Sequence, residues 1–149
     1  MNKAVYAGRF DPITKGHMDI IRRSAELFDE VIVLILPSFG YTPFFETETR
    51  KELIRKSVAE FSNVRVDDSD GLVVDYARRV HASILIRGIH AVINFEHELQ
   101  QASTNMALDD TIETVFILSR PSHAYISSSA IIEIAKSGGK IDRFVPEVI

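Results

Sequence analysis

The chain reads as an α/β protein, a five-stranded parallel sheet with helices on both faces. Three observations predict this. Short apolar strand-like runs alternate with amphipathic stretches along the whole chain. One of those runs, "EVIVLIL" (30–36), is apolar throughout and rich in β-branched residues, as in a strand covered on both faces. The length of 149 residues suits one domain with a substantial core, and no repeat, low-complexity tract or linker divides it. The expected unit is therefore a single domain over 1–149.

The elements follow in order. "KAVYAG" (3–8) is a short buried strand. "HMDIIRRSAELF" (17–28) is an amphipathic helix, with Ile20, Ile21, Ser24, Ala25, Leu27 and Phe28 largely on one face. After the strand at 30–36 come helix 46–61, strand "NVRVDD" (63–68) and helix 71–81. Strand "ASILIRG" (82–88), helix 91–108, strand "ETVFIL" (113–118) and a helix over 127–139 complete the pattern.

Composition narrows the function classes. Apolar content of 46% and charged content of 26% are ordinary for a globular protein. A formal charge of -4 gives no overall reason to expect nucleic-acid binding. There are no cysteines, which removes disulfides, thiolate nucleophiles and Cys-based zinc sites. No stretch has the length and apolarity of a signal peptide or membrane span, so a cytoplasmic location is expected.

In open α/β sheets, ligands bind beyond the carboxyl ends of the strands. The unusual segments lie there: "AGRFDPITKGH", "PSFGYTPFF", "IRGIHAV" and "SRPSHAYISSS". The first is longer than a plain strand-to-helix connection needs. Gly8 is expected to let the backbone bend or a ligand approach, and Pro12 to stiffen the turn. Thr14 can cap the helix, with Gly16 and His17 in its first turn. The positive end of that helix favours a phosphate and opposes an imidazolium, leaving His17 available as a neutral donor. Asp11 carries the wrong sign for a phosphate ligand and is expected to make a structural hydrogen bond.

"GRFDPITKGH" resembles the signature of the nucleotidylyltransferases, a G-[ST]-F-D-P segment ahead of T-x-G-H. "LIRGIHAVINFEHELQ" and "YISSSAII" resemble later motifs of the bacterial phosphopantetheine adenylyltransferases, in order over essentially the whole chain. The resemblance implies a Rossmann-like fold, assembly as a homohexamer, and adenylyl transfer from ATP to 4′-phosphopantetheine. The products would be dephospho-CoA and pyrophosphate, in coenzyme A synthesis, with Mg2+ accompanying ATP and no metal-ligating side chains. It also implies roles for residues. His17 would be catalytic, contacting the α-phosphate beside Arg9 and Phe10; Gly88, Ile89, His90 and Glu98 would meet ATP. His123, Ala124, Tyr125 and Ile126 would contact adenine mainly through backbone, and Ser127, Ser128 and Ser129 would cradle the β- and γ-phosphates or simply cap a helix. Arg9, Tyr41, Val73 and Arg87 would hold the acceptor, Arg87 through its phosphate. Phe39, Tyr41, Phe44 and Phe45 would line the pantetheine arm or fold under as core or oligomer contact.

Four positions depart from the family pattern. Arg9 replaces Thr or Ser, Tyr41 replaces a Lys, His90 replaces the second Arg of R-G-x-R, and Ile132 replaces Lys or Arg. These changes leave two alternatives standing: a related transferase with another phosphorylated acceptor, such as nicotinamide mononucleotide or glycerol phosphate, and a catalytically weak nucleotide- or CoA-binding protein.

Overall fold

A computed structural model describes residues 1–37, 42–89, 92–120 and 127–149. Alternating apolar side chains make Lys3–Gly8 the central strand, β1: Ala4 and Tyr6 enter one core, Val5 and Ala7 the other. β2 (Glu30–Ile35) divides its side chains the same way, Val31, Val33 and Ile35 against Ile32 and Leu34. β3 (Val64–Asp68), β4 (Ile84–Ile89) and β5 (Glu113–Leu118) complete a parallel sheet in the order β3-β2-β1-β4-β5. The expected five strands and their parallel pairing are borne out.

Helices cover both faces. α1 (Lys15–Leu27) and α2 (Thr47–Ser57) supply Ile20, Ile21 and Ile54 to the first core. α3 (Val73–Arg79) supplies Val74, Tyr76 and Ala77 to the second, and α4 (Val92–Leu108) packs against α3, β4 and β5. α5 (Ser128–Lys136) buries Ile131.

Helix ends differ from the sequence expectation for local reasons. α1 starts at Lys15, not His17, because Thr14 takes the N-cap. α3 is shorter than 71–81: His81 turns to φ 63 and Ala82 N–H closes back on Ala77 O at 2.8 Å, so β4 starts only at Ile84. α5 ends before 139 because Gly138 adopts φ 83. Gly138 N–H then donates to Ala135 O and Gly139 N–H to Ile134 O, a Schellman closure that satisfies the last carbonyls.

The strand order positions the site. From β1 the chain adds β2 and β3 on one side, then returns to add β4 and β5 on the other. The helices following β1 and β4 lie on opposite faces, so their entry loops diverge and open a crevice at this topological switch point.

Candidate active site

The crevice contains a cavity of about 550 Å³ whose wall includes Gly8, Arg9, Phe10, His17, Arg87 and Glu98. Residues expected to act together from β1, α1, β4 and α4 thus meet in one place. Val73, at the start of α3, also reaches this wall.

The β1–α1 connection is shaped by Phe10. Its backbone adopts φ 50, a left-handed conformation that costs a non-glycine residue about 1–2 kcal/mol. The ring turns inward, 2% exposed, and stands edge-on to Tyr6 and His17 at centroid distances of 5.2 and 5.0 Å. Gly8 serves this packing: a Cβ there would lie 3.3 Å from the Phe10 ring. The glycine makes room for the Phe10 side chain, where the sequence suggested a backbone bend or the close approach of a ligand.

His17 occupies N3 of α1 in a reciprocal cap. Its backbone N–H donates to Thr14 Oγ1 at 3.1 Å, and Thr14 N–H donates to His17 Nδ1 at 2.9 Å. Because Nδ1 accepts, Nε2 carries the hydrogen of the neutral ring. The cap therefore places the ring's donor at Nε2.

Arg87 and Glu98 pair with each other. Arg87 Nε donates to Glu98 Oε2 at 2.6 Å and Nη2 to Oε1 at 2.8 Å, while Nη1 donates to Ala7 O at 2.7 Å. Burial works against the Arg87 charge, but hydrogen bonding and attraction from Glu98 raise its pKa above the ordinary guanidinium value. Nearby, burial pushes the Tyr6 phenol well up; Arg87 opposes the rise and Glu98 adds to it. Tyr6 therefore stays neutral. Arg9, Arg87 and Glu98 are the acidic and basic side chains among the residues lining this cavity, besides its two histidines.

A second cavity of about 390 Å³ shares Arg9 and Ser128 with the first and is also lined by Phe44, Ser129, Ile132 and Lys136. Ser127 is the N-cap of α5, its side chain accepting from Ala130 N–H at 3.2 Å, and Ser128 Oγ donates to Pro12 O at 2.8 Å. Two of the three serines are therefore used to cap α5 and to tie it to the β1 loop. Asp11 behaves structurally as expected, accepting from the backbone N–H groups of Phe44 and Phe45 at 2.7 and 2.8 Å. Phe44 and Phe45 stand edge-on to one another, and Lys136 Nζ lies over the Phe44 ring. Arg50, 2% exposed, supports the same region by donating from Nη1 to Arg9 O at 2.9 Å.

Phe39, Tyr41, His90, His123, Ala124, Tyr125 and Ile126 lie outside the described residues. Ile89 is buried at the end of β4. His97, Gln101 and Asn105 also line the main cavity, although the sequence analysis did not select them. Their i, i+4, i+8 spacing puts them on one stripe of α4, and that polar stripe was the available signal. Among the described residues, no group of three or more His, Cys, Asp or Glu is arranged to hold a metal ion.

An anion-suited crevice at a parallel-sheet switch point, flanked by a helix N-terminus and a histidine donor, defines a nucleotide-handling α/β protein. The cytidylyltransferase-like family model matches residues 5–134. A phosphopantetheine adenylyltransferase from Dictyoglomus turgidum is 47% identical over 149 residues, covering 100% of this chain and 93% of the relative. One from Nostoc punctiforme is 49% identical over 143 residues, covering 96% of this chain and 78% of the relative. A crystal structure from Vibrio parahaemolyticus, assigned to nicotinate-nucleotide adenylyltransferase, superposes with a TM-score of 0.71 at 20% identity, covering 99% of this chain and 96% of that one. That likeness shows the shared fold. The chain belongs to the cytidylyltransferase-like family and, within it, to the phosphopantetheine adenylyltransferases.

Proposed function

We propose that this chain transfers an adenylyl group from ATP to 4′-phosphopantetheine, releasing pyrophosphate and forming dephospho-CoA for coenzyme A synthesis. The observation that carries the reading is the meeting of His17 and Arg87 in one cavity between β1 and β4, in a chain similar over its full length to enzymes of that name.

An oxygen of the acceptor phosphate attacks the α-phosphorus of ATP, and the bond from that phosphorus to the bridging oxygen of the β-phosphate breaks. The acceptor is already ionised, so catalysis rests on positioning and charge stabilisation, without a general base or covalent intermediate. In this account His17 Nε2–H donates to an α-phosphate oxygen as charge builds there. Arg87 binds the acceptor phosphate. The start of α5, with Ser128 and Ser129, receives the β- and γ-phosphates from the second cavity. Arg9, shared by both cavities, takes over the acceptor contact of the Lys that Tyr41 replaces.

Mg2+ is proposed to arrive with ATP. The Asp11 carboxylate serves two backbone amides and Glu98 serves Arg87, so these residues suit an ion held by phosphates and water; among the described residues no group of carboxylates or histidines forms an all-protein cage.

Assembly into a homohexamer is part of the proposal, supported by exposed Phe95, Leu99 and Met106 on α4, and sedimentation velocity tests it. A cytoplasmic location is likewise proposed; among the described residues no helix is long and apolar enough to cross a membrane.

Incubation with ATP, Mg2+ and 4′-phosphopantetheine should yield a product with the mass of dephospho-CoA. Unchanged 4′-phosphopantetheine would count against the function.

A further inference from the structure

We infer that Arg50 is a positioning residue for the acceptor: buried behind the β1 loop, it holds the Arg9 carbonyl and so fixes the direction from which the Arg9 side chain meets the acceptor phosphate. This rests on the function proposed above.

Arg50 stands out because its surroundings are unfavourable for a cation. It is 2% exposed, its hydrogen-bond partners are uncharged oxygens, and among the described residues no carboxylate pairs with it. Its Nε is buried with no hydrogen-bond partner among the described residues. It also lies one turn from the N-terminus of α2, where the helix dipole opposes positive charge. Desolvation, the missing counter-ion and the dipole all act against it, and an apolar side chain of similar volume would avoid all three. Departures of this kind from local rules are expected where function requires them.

The guanidinium joins two segments of the site. Nη1 donates to Arg9 O at 2.9 Å, and Nη2 donates to Thr47 Oγ1 at 3.2 Å at the start of α2. The Arg9 carbonyl belongs to the planar peptide shared with Phe10. Phe10 fixes the other end of that peptide, with its backbone at φ 50 and its ring buried against Tyr6 and His17. Asp11 then accepts from the Phe44 and Phe45 amides, just ahead of α2. The β1 loop and the entry to α2 are therefore clamped twice, once with the loop accepting from Arg50 and once with it accepting from backbone amides.

Arg9 sits within this clamp and lines both cavities, whereas Arg50 lines neither. Any effect of Arg50 on the acceptor therefore passes through the Arg9 segment. With the Arg9 backbone held, its side chain starts from one direction, and less conformational freedom is lost when it meets a phosphate.

The test is a double-mutant cycle on the full chain, with 4′-phosphopantetheine binding read by calorimetry. Arg50→Met fills a similar volume without a donor and should weaken binding about fivefold, within the range for loss of one hydrogen bond. Arg50→Lys keeps the charge, but one ammonium does not reproduce the fork that bridges Arg9 O and Thr47 Oγ1. Its loss should be smaller, about threefold, and it decides the matter if Arg50→Met does not fold. In an Arg9→Thr background neither substitution should weaken binding further. A merely structural role would weaken binding in both backgrounds. Wild-type affinity in a folded Arg50 variant, or a loss that persists without Arg9, would overturn the inference. A wild-type chain that fails to bind 4′-phosphopantetheine overturns the proposed function and this inference with it, whereas wild-type binding with unmoved Arg50 variants overturns this inference alone.

Discussion

The backbone N–H of Thr14 donates to Nδ1 of His17 at 2.9 Å, so the helix cap that starts α1 also selects the tautomer of the site histidine. Local folding and chemistry are coupled through three residues of sequence. His17→Ala should lower kcat by roughly 10²–10³-fold, the scale for loss of one preorganised donor. Affinity for ATP should change much less, because the donor acts as charge develops. Steady-state kinetics with a direct nucleotide-binding measurement separate the two effects, and near-wild-type turnover would remove His17 from the mechanism.

The Asp11 carboxylate fastens the segment at Phe44 and Phe45 to the β1 loop through two backbone amides. Asp11→Ala leaves both amides without that partner and should cost about 1–3 kcal/mol. A lower melting temperature with a raised KM for the acceptor is the expected result. Unaltered stability would mean that solvent replaces the carboxylate without penalty.

Asp19 gathers three arginines. Arg22 and Arg23 come from its own helix, and Arg120 comes from beyond β5. Burial raises the carboxyl, but hydrogen bonds from Arg23, Arg22 and Arg120 outweigh it and hold the pKa below the usual carboxylate value. A group depressed in the folded chain contributes stability above its unfolded pKa, about 3.9, and loses it as pH falls through the folded value. The stability gap between wild type and Asp19→Asn should therefore be constant from about pH 7 to 5 and narrow below about pH 4. Denaturant melts across that range check the sign, and a gap that widens on acidification would refute it.

Arg9 lines both cavities at a position where the family pattern has Thr or Ser. Arg9→Thr should reduce kcat/KM for the acceptor by about tenfold, consistent with a lost charge-assisted contact. Adding Tyr41→Lys should recover much of that loss. Improved activity in Arg9→Thr alone would show that the arginine is not the substitute cation.

The sheet was legible because strand burial leaves a continuous apolar signature, and β1 and β5 match their expected bounds residue for residue. The order β3-β2-β1-β4-β5 was not, since alternation implies parallel strands without saying which are neighbours. Helix ends were decided by features that periodicity does not report: the Thr14 cap, His81 at φ 63 and Gly138 at φ 83. In the site, Thr14, His17 and Asp11 were readable because their structural partners lie in a motif or follow from charge. The Arg87–Glu98 pair was not, because it joins a strand to a helix through tertiary packing. His97, Gln101 and Asn105 were readable in principle from their spacing on α4.

The most direct test of the account is pyrophosphate release from ATP measured across a panel of phosphorylated acceptors with Mg2+. The panel should include 4′-phosphopantetheine, nicotinamide mononucleotide and glycerol phosphate. The account predicts release with 4′-phosphopantetheine at a kcat/KM at least about a hundredfold above the others, the discrimination expected when polar groups of the wrong acceptor go unpaired. Preferred turnover of another acceptor, or nucleotide binding with no pyrophosphate release at all, would contradict it.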